Sequence, residues 1–113
     1  MKEYLLLFRQ SNYEEYQKAS KEKMEAIAKK WKDWGEKIVS QGKLVSYGPR
    51  LAMEGKVLKN GGAISNAPFV ELREILGSFM TIKAENLDDA TTLAHGCPAI
   101  EEGGSVEIRP IYG

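Results

Sequence analysis

The hydrophobic residues of this chain recur at two spacings, which predict that strands and helices alternate along it. The apolar run at residues 4–8 predicts a first strand. Farther along, apolar residues recur every three or four positions, as they do on one face of a helix. These positions are Met24, Ile27, Ala28, Trp31, Trp34 and Ile38. We therefore predict a long amphipathic helix that starts at Ser11-Asn12 or at Ser20 and ends near Gln41-Gly42.

The remaining segments predict four more strands and one short helix. We expect a tight turn at Glu54-Gly55, between the second and third strands, and a loop at Asn60-Gly61-Gly62. Asn86 is expected to cap the short helix, which ends at Gly96 and Pro98. The further strands are expected at 44–53, 56–59, 78–84 and 105–111. This order predicts one α+β domain over residues 1–113, a ferredoxin-like split βαβ unit whose antiparallel sheet is covered by helices on one face.

Strand alternation divides the predicted sheet into a face toward the helices and an outer face. Met80, Ile82 and Ala84 are expected against the helices, and Phe79 on the outer face. We also expect Tyr47 and the charged pair Glu107 and Arg109 on the outer face. Such a face is too apolar to be exposed to water and too polar to be part of an ordinary hydrophobic core. We therefore predict a homodimer in which two outer faces meet and enclose partly polar pockets.

Composition narrows the classes of function. Lys+Arg and Asp+Glu number 16 each, so the net charge is zero and the basic stripe of a nucleic-acid module is not expected. One His and one Cys argue against an intramolecular disulfide and against a His/Cys metal site. No phosphate-binding or dinucleotide-binding glycine pattern occurs, so no cofactor is expected. The pattern also predicts neither a signal peptide nor a membrane span, and therefore a cytoplasmic protein without a membrane partner.

The segment from Ser65 to Gly77 has no regular hydrophobic pattern and contains a proline, an aromatic residue, two acids and a base. Irregular segments of this kind are typical of binding sites. Asn66, Pro68 and Phe69 are predicted to form a pocket wall, with Asn66 orienting a ligand. The alternative is a loop that packs Phe69 into the core, while the Asn66 side chain forms a hydrogen bond to the backbone within a turn. Glu71 and Glu74 are three residues apart and are candidates for a catalytic acid and base. Alternatively, one of them pairs with an arginine and the other is solvated.

Three further residues are candidates for chemistry. Arg109 is predicted to hold a carboxylate or phosphate of the ligand beside Tyr47 and Phe79. The alternative is a structural ion pair with Glu107, Glu71 or Glu74. His95 is a candidate general base, or else a cation that complements the end of the short helix. Cys97 is a candidate nucleophile, or else an inert thiol.

Several short motifs, taken in order, resemble the YCII-related proteins, specifically the branch named for its Asp-Gly-Pro-Phe (DGPF) motif. They are Trp31-x-x-Trp34, Gly42-x-Leu44, Pro68-Phe69-Val70-Glu71, Glu74-x-x-Gly77, Cys97-Pro98 and Val106-Glu107-Ile108-Arg109-Pro110. The resemblance implies a ferredoxin-like dimeric α/β barrel with a pocket at the barrel mouth. Some relatives are encoded beside, or fused to, alternative sigma factors, and one branch includes a dechlorinating enzyme with a His–Asp pair. This chain has Asn66-Ala67-Pro68-Phe69 in place of the motif and lacks the histidine near the first helix.

The residues and the resemblance together lead to three hypotheses. The first is a cytoplasmic homodimer whose pocket binds a small anionic or aromatic metabolite without a metal or cofactor. The second is a cofactor-independent hydrolase, lyase or oxygenase that acts through His95 or through Glu71 and Glu74. The third is a protein-interaction module linked to sigma-factor regulation.

Overall fold

The computed structural model of the protein describes residues 1–10, 18–52, 54–66 and 75–112. Within these ranges it contains six strands and three helices. The strands are β1 (Lys2–Gln10), β2 (Leu44–Arg50), β3 (Lys56–Leu58), β4 (Ile64–Asn66), β5 (Ile75–Ala84) and β6 (Ser105–Pro110). The helices are α1 (Lys21–Ser40), α2 (Leu87–Ala94) and α3 (Pro98–Glu101).

Four of the strands form one antiparallel sheet in the order β2-β5-β1-β6. The strands that flank α1, β1 and β2, are separated in the sheet by β5, and the strands on either side of α2 and α3 are separated by β1. This is the split βαβ arrangement, so the predicted α+β, ferredoxin-like fold is confirmed. No helix in the described ranges is long and apolar enough to cross a membrane.

The helices begin where the sequence predicts. Ser20 caps α1, and its hydroxyl accepts a hydrogen bond from the Lys23 N–H at 3.1 Å. The other predicted start, Ser11-Asn12, lies outside the described residues. Asn86 caps α2 by accepting from the Asp89 N–H at 2.8 Å. Pro98 does more than stop α2, because it occupies the first turn of α3, where its missing N–H costs no hydrogen bond.

The core lies between the helices and one face of the sheet. Met80, Ile82 and Ala84 are buried on this face, as predicted. Phe8, Trp31 and Trp34 meet edge to face, with ring centroids 5.0–5.9 Å apart. Each such pair contributes about 0.5–1.5 kcal/mol beyond the burial of its surface. The buried Trp34 also donates from Nε1 to the Leu93 carbonyl oxygen at 3.3 Å, which ties α1 to α2.

The predicted turn at Glu54-Gly55 is wrong. β3 does not pair with β2 but with β4, across the loop at Asn60-Gly61-Gly62. Gly61 and Gly62 both have positive φ values, 89° and 85°, which only glycine adopts without strain, and they let the chain reverse there. The strand β4 therefore occupies the start of the segment that appeared irregular in the sequence, and β5 begins at Ile75 rather than at residue 78.

The predicted orientation of Tyr47 is also wrong. Simple alternation places Tyr47 opposite to Leu44, but both residues lie on the helix face of the sheet. Leu44 is opposite Ile82 and Tyr47 is opposite Met80, with a register shift between Leu44 and Ser46. This shift is a β-bulge, in which one extra residue in β2 reverses the side of every residue after it.

Candidate functional site

Two register shifts lie at one end of the sheet. One falls in β2 between Tyr47 and Arg50, which is opposite Ser78. The other lies between β1 and β5, just after the pair Phe8 and Ser78. A further shift in β2, between Leu44 and Ser46, lies farther along the sheet, opposite Thr81 and Ile82. Bulges concentrate beside binding sites because they change the direction of particular side chains. The pattern marks this end of the sheet as the candidate site.

The two bulges of β2 have a specific effect on side-chain direction. Leu44, Tyr47 and Arg50 are three residues apart, a spacing that alternates faces in a regular strand. With one extra residue inserted in each interval, all three are opposite β5 residues of the helix face. Tyr47 and Arg50 consequently point toward α1 rather than toward the outer face.

A cavity of about 580 Å³ lies between α1 and this end of the sheet. This volume is in the range of about 300–1,000 Å³ that small-molecule sites occupy. Its apolar wall includes Phe8, Met24, Ile27, Trp31, Trp34 and Met80. Its polar lining includes Gln10, Lys32, Glu36, Tyr47, Arg50 and Ser78. A largely aromatic wall with a few convergent polar groups is the usual composition of a small-molecule site.

Gly35 provides the space that Tyr47 occupies beside α1. A Cβ atom at Gly35 would lie 2.8 Å from Oη and 3.3 Å from Cε1 of Tyr47. The tyrosine remains 60% exposed, so its ring borders the cavity and solvent together. The hydroxyl is therefore available to a ligand at the mouth of the cavity.

Gly48-Pro49 explains why β2 departs from regular pairing just before Arg50. A Cβ atom at Gly48 would overlap the carbonyl oxygen of Phe79, so β2 approaches β5 more closely here than any other residue allows. Pro49 has no N–H to donate to a neighbouring strand. The dipeptide thus favours the second bulge and the orientation of Arg50 that follows from it.

The structure brings some of the predicted site residues together and separates others. Tyr47 borders the cavity, and so does Gly77, the last residue of the segment predicted as its wall. Phe79 is also part of the lining, although its position opposite Leu7 places its side chain on the outer face of the sheet. Arg109 does not border it. The cations that border the cavity are Lys32 and Arg50, and neither was predicted as a site residue from the sequence.

Arg109 lies on the outer face of β6 and forms the ion pair that was its structural alternative. Its Nη1 donates to Glu107 Oε2 at 3.1 Å, and Arg9 Nη2 donates to Glu107 Oε1 at 3.2 Å. The hydrogen bonds from Arg109 and then from Arg9 hold the pKa of Glu107 below its usual value of 4.5. The Glu107 carboxylate therefore accepts a hydrogen bond from each of two guanidinium groups, those of Arg109 and Arg9, on the face opposite to the cavity.

His95 and Cys97 are also outside the cavity lining. His95 is the exposed C-cap of α2 and borders a separate groove of about 400 Å³, together with Lys37 and Glu101. Cys97 is fully buried, and burial raises the pKa of its thiol to about 11. A buried thiol with a raised pKa is a poor nucleophile, in agreement with the inert alternative.

The other predicted residues belong to the segment before β5. Asn66 ends β4, where its backbone is opposite Lys56. The side chain of Asn66, together with Pro68, Phe69, Glu71 and Glu74, lies outside the described residues. In the described ranges, no group of three or more His, Cys, Asp or Glu side chains is arranged to hold a metal ion.

Comparison with known proteins supports the resemblance in the sequence. The family model described as the YCII-related domain matches residues 4–113. No curated protein matches the chain.

Proposed function

Because this chain belongs to the YCII-related family, we propose that it binds a small aromatic or anionic metabolite in the cavity between α1 and the sheet. The convergence of two register shifts, those beside Arg50 and beside Phe8, on one lined cavity carries this proposal. We place the protein in the DGPF-motif branch, as a cytoplasmic homodimer of the dimeric α/β barrel type that needs no metal or cofactor for binding.

The lining of the cavity suggests how a ligand is held. Phe8, Trp31 and Trp34 offer ring edges and faces to a planar apolar body. Arg50 lies at the same cavity, and its guanidinium group is suited to a carboxylate or phosphate. The Tyr47 hydroxyl supplies a further hydrogen bond at the mouth. An aromatic acid satisfies all three features, with its ring between α1 and β1 and its acid group near Arg50.

The outer face of the sheet supports the proposed homodimer. Leu5, Leu7 and Phe79 lie on that face and are only partly covered within one chain. Aliphatic and aromatic side chains at the centre of a sheet favour burial against a second surface. Two outer faces packed against each other would bury these residues on both chains.

Catalysis through His95 lacks comparable support, because His95 borders the other groove. Catalysis through Glu71 and Glu74 depends on residues outside the described part of the chain. Binding is therefore the function that the described geometry favours.

A titration of tryptophan fluorescence tests the proposal, since Trp31 and Trp34 both border the cavity. Suitable probes are 2-naphthoate, the uncharged 2-naphthylmethanol and the aliphatic octanoate. We expect 2-naphthoate to bind most tightly and to raise Tm, because a ligand at 100 times its Kd adds about 2.7 kcal/mol of stability. The absence of any fluorescence change or thermal shift at millimolar probe concentrations would contradict the proposal.

Two arginine variants provide a matched comparison across the sheet. Arg50→Gln is expected to weaken 2-naphthoate at least about tenfold, the usual effect of losing one charged hydrogen bond, and to leave 2-naphthylmethanol unchanged. Arg109→Gln removes the same charge from the opposite face and should leave both affinities unchanged. If Arg50→Gln and Arg109→Gln weakened the binding of 2-naphthoate equally, Arg50 would not be the residue that holds the acid group.

A further inference from the structure

The charged residues that border the cavity are of both signs. Lys32 and Glu36 come from α1, and Arg50 comes from β2. The proposed function uses Arg50 for the acid group of the ligand and gives no role to Glu36. A carboxylate at the same cavity repels a second acid group and attracts a cation. Its position relative to Arg50 therefore bears on which ligands fit.

Glu36 lies toward the end of the cavity where Tyr47 is found. It follows Gly35 in α1, and a Cβ atom at Gly35 would lie 2.8 Å from Tyr47 Oη. Only residues 41–43 separate α1 from β2, so the strand runs back along the helix. Gly35 and Tyr47 therefore mark one common level of the two elements, and Glu36 is next to that level.

Arg50 lies toward the other end of the cavity. Tyr47 is opposite Met80 and Arg50 is opposite Ser78. The two positions are thus separated along β5 by two residues, or about 7 Å. Because β2 runs back along the helix, this separation leads away from Glu36 and toward the start of α1. The distance is comparable with the length of two fused aromatic rings.

Lys32 and Glu36 are four residues apart on α1, so an ion pair within the helix is the alternative role for both. A lysine that precedes a glutamate is the less favourable order for such a pair. No ion pair joins these two side chains in the described part of the chain. Lys32 also lies about one helical turn nearer the start of α1, in the direction of Arg50. The cavity thus has a carboxylate at one end and two cations toward the other.

We propose that the cavity prefers an aromatic acid with a protonated amine at the opposite end of its ring system, and that Glu36 recognises the amine. This inference rests on the proposed function and narrows its ligand class to amphoteric aromatic compounds. Arg50 pairs with the acid group, and the Glu36 carboxylate accepts hydrogen bonds from the ammonium group. A ligand with acid groups at both ends would place a second negative charge beside Glu36 and is disfavoured.

Three naphthalene probes that differ only at the end opposite the acid group test this preference. 6-(Aminomethyl)-2-naphthoate carries an ammonium group there, 2-naphthoate carries hydrogen, and 2,6-naphthalenedicarboxylate carries a second acid. In isothermal titration calorimetry at neutral pH, we expect the ammonium probe to bind about twofold to fivefold more tightly than 2-naphthoate, the usual effect of an exposed ion pair. The dicarboxylate should bind more weakly than 2-naphthoate.

Substitutions of Glu36 show whether this residue is responsible for the preference. Glu36→Gln should remove the preference for the ammonium probe, and Glu36→Lys should make the dicarboxylate bind more tightly than 2-naphthoate. Glu25→Gln is the matched control and should retain the wild-type order of affinities. Glu25 is an exposed glutamate of the same helix and does not border the cavity. Thermal unfolding of each variant confirms that the fold is retained.

The outcomes separate this preference from binding itself. If none of the three probes bound, the proposed function would be wrong and this inference with it. If 2-naphthoate bound as tightly as the ammonium probe, the cavity would still be a site for aromatic acids and only this inference would be overturned. A preference for the ammonium probe that survived Glu36→Gln, or that Glu25→Gln also removed, would show that Glu36 does not recognise the amine.

Discussion

Replacing Gly35 with alanine should separate the stability of the fold from the shape of the cavity. Within a helix, glycine is less favourable than alanine by up to about 1 kcal/mol. The new methyl group would lie 2.8 Å from Tyr47 Oη, so the ring must move about 0.6 Å to reach an ordinary contact of 3.4 Å. Because Tyr47 is 60% exposed, we expect this movement to cost less than the helix gains. The predicted net effect is a stabilisation of about 0.4–1 kcal/mol.

Thermal and urea unfolding measure this effect directly. A gain of 1 kcal/mol raises Tm by roughly 3–6 °C for a domain of this size. The same substitution shifts the ring that borders the cavity mouth, so the affinity for 2-naphthoate should fall while Tm rises. A higher Tm together with a weaker affinity for 2-naphthoate would show that the substitution changes the cavity without weakening the fold.

Tyr47→Phe is the control, because it removes Oη and leaves Cε1, at 3.3 Å, as the nearest atom to the new methyl group. Gly35→Ala should therefore stabilise the Tyr47→Phe protein more than the wild type. This difference measures the coupling between the two positions. A change in stability that is the same in both backgrounds would refute the idea that Gly35 provides space for the Tyr47 hydroxyl.

Three further predictions concern the backbone, the buried thiol and the outer face. Gly48→Ala should destabilise the protein by about 1–3 kcal/mol in urea, because the methyl group overlaps the Phe79 carbonyl oxygen, and an unchanged midpoint would contradict this. Since burial raises the pKa of Cys97 to about 11, iodoacetamide at about pH 8 should label it only when denaturant is present. Rapid labelling of the native protein would show that the thiol is accessible. Because the pKa of Glu107 is lowered in the folded state, its stabilising effect is complete above its ordinary value of 4.5 and is lost as pH falls through the lowered value. Glu107→Gln should thus be less stable than wild type at neutral pH and approach it in acid, and a difference independent of pH would exclude this role.

The sequence was sufficient to predict the fold because its main elements have strong local signals. The apolar spacing of α1, the caps Ser20 and Asn86 and the glycine-rich loop of the hairpin are all decided by neighbouring residues. The alternation of β5 correctly placed Met80, Ile82 and Ala84 in the core. Each of these features depends on residues only a few positions apart.

The site was harder to predict because it depends on strand pairing. The faces of Tyr47 and Arg50 are set by bulges, and a bulge is defined by the partner strand rather than by local composition. Gly48-Pro49 was the available signal, since glycine and proline inside a strand mark irregular pairing. The charged pair in the otherwise apolar last strand pointed instead to Arg109, which forms an ion pair with Glu107. Residues that are distant in sequence, such as Phe8 and Tyr47, border the same cavity only once the sheet has formed.

The bulges in β2 also bear on how related chains can diverge. In a regular strand, changing which side chain enters a cavity requires substitutions at several positions. In β2, deletion of one residue between Leu44 and Tyr47 would remove the first bulge and leave Tyr47 opposite Met80, on the helix face. Loss of the same bulge at unchanged length would instead turn Tyr47 to the outer face with its identity unchanged. The pairing register of β2 would therefore be a more informative guide to ligand choice among relatives than the residue types at the cavity wall.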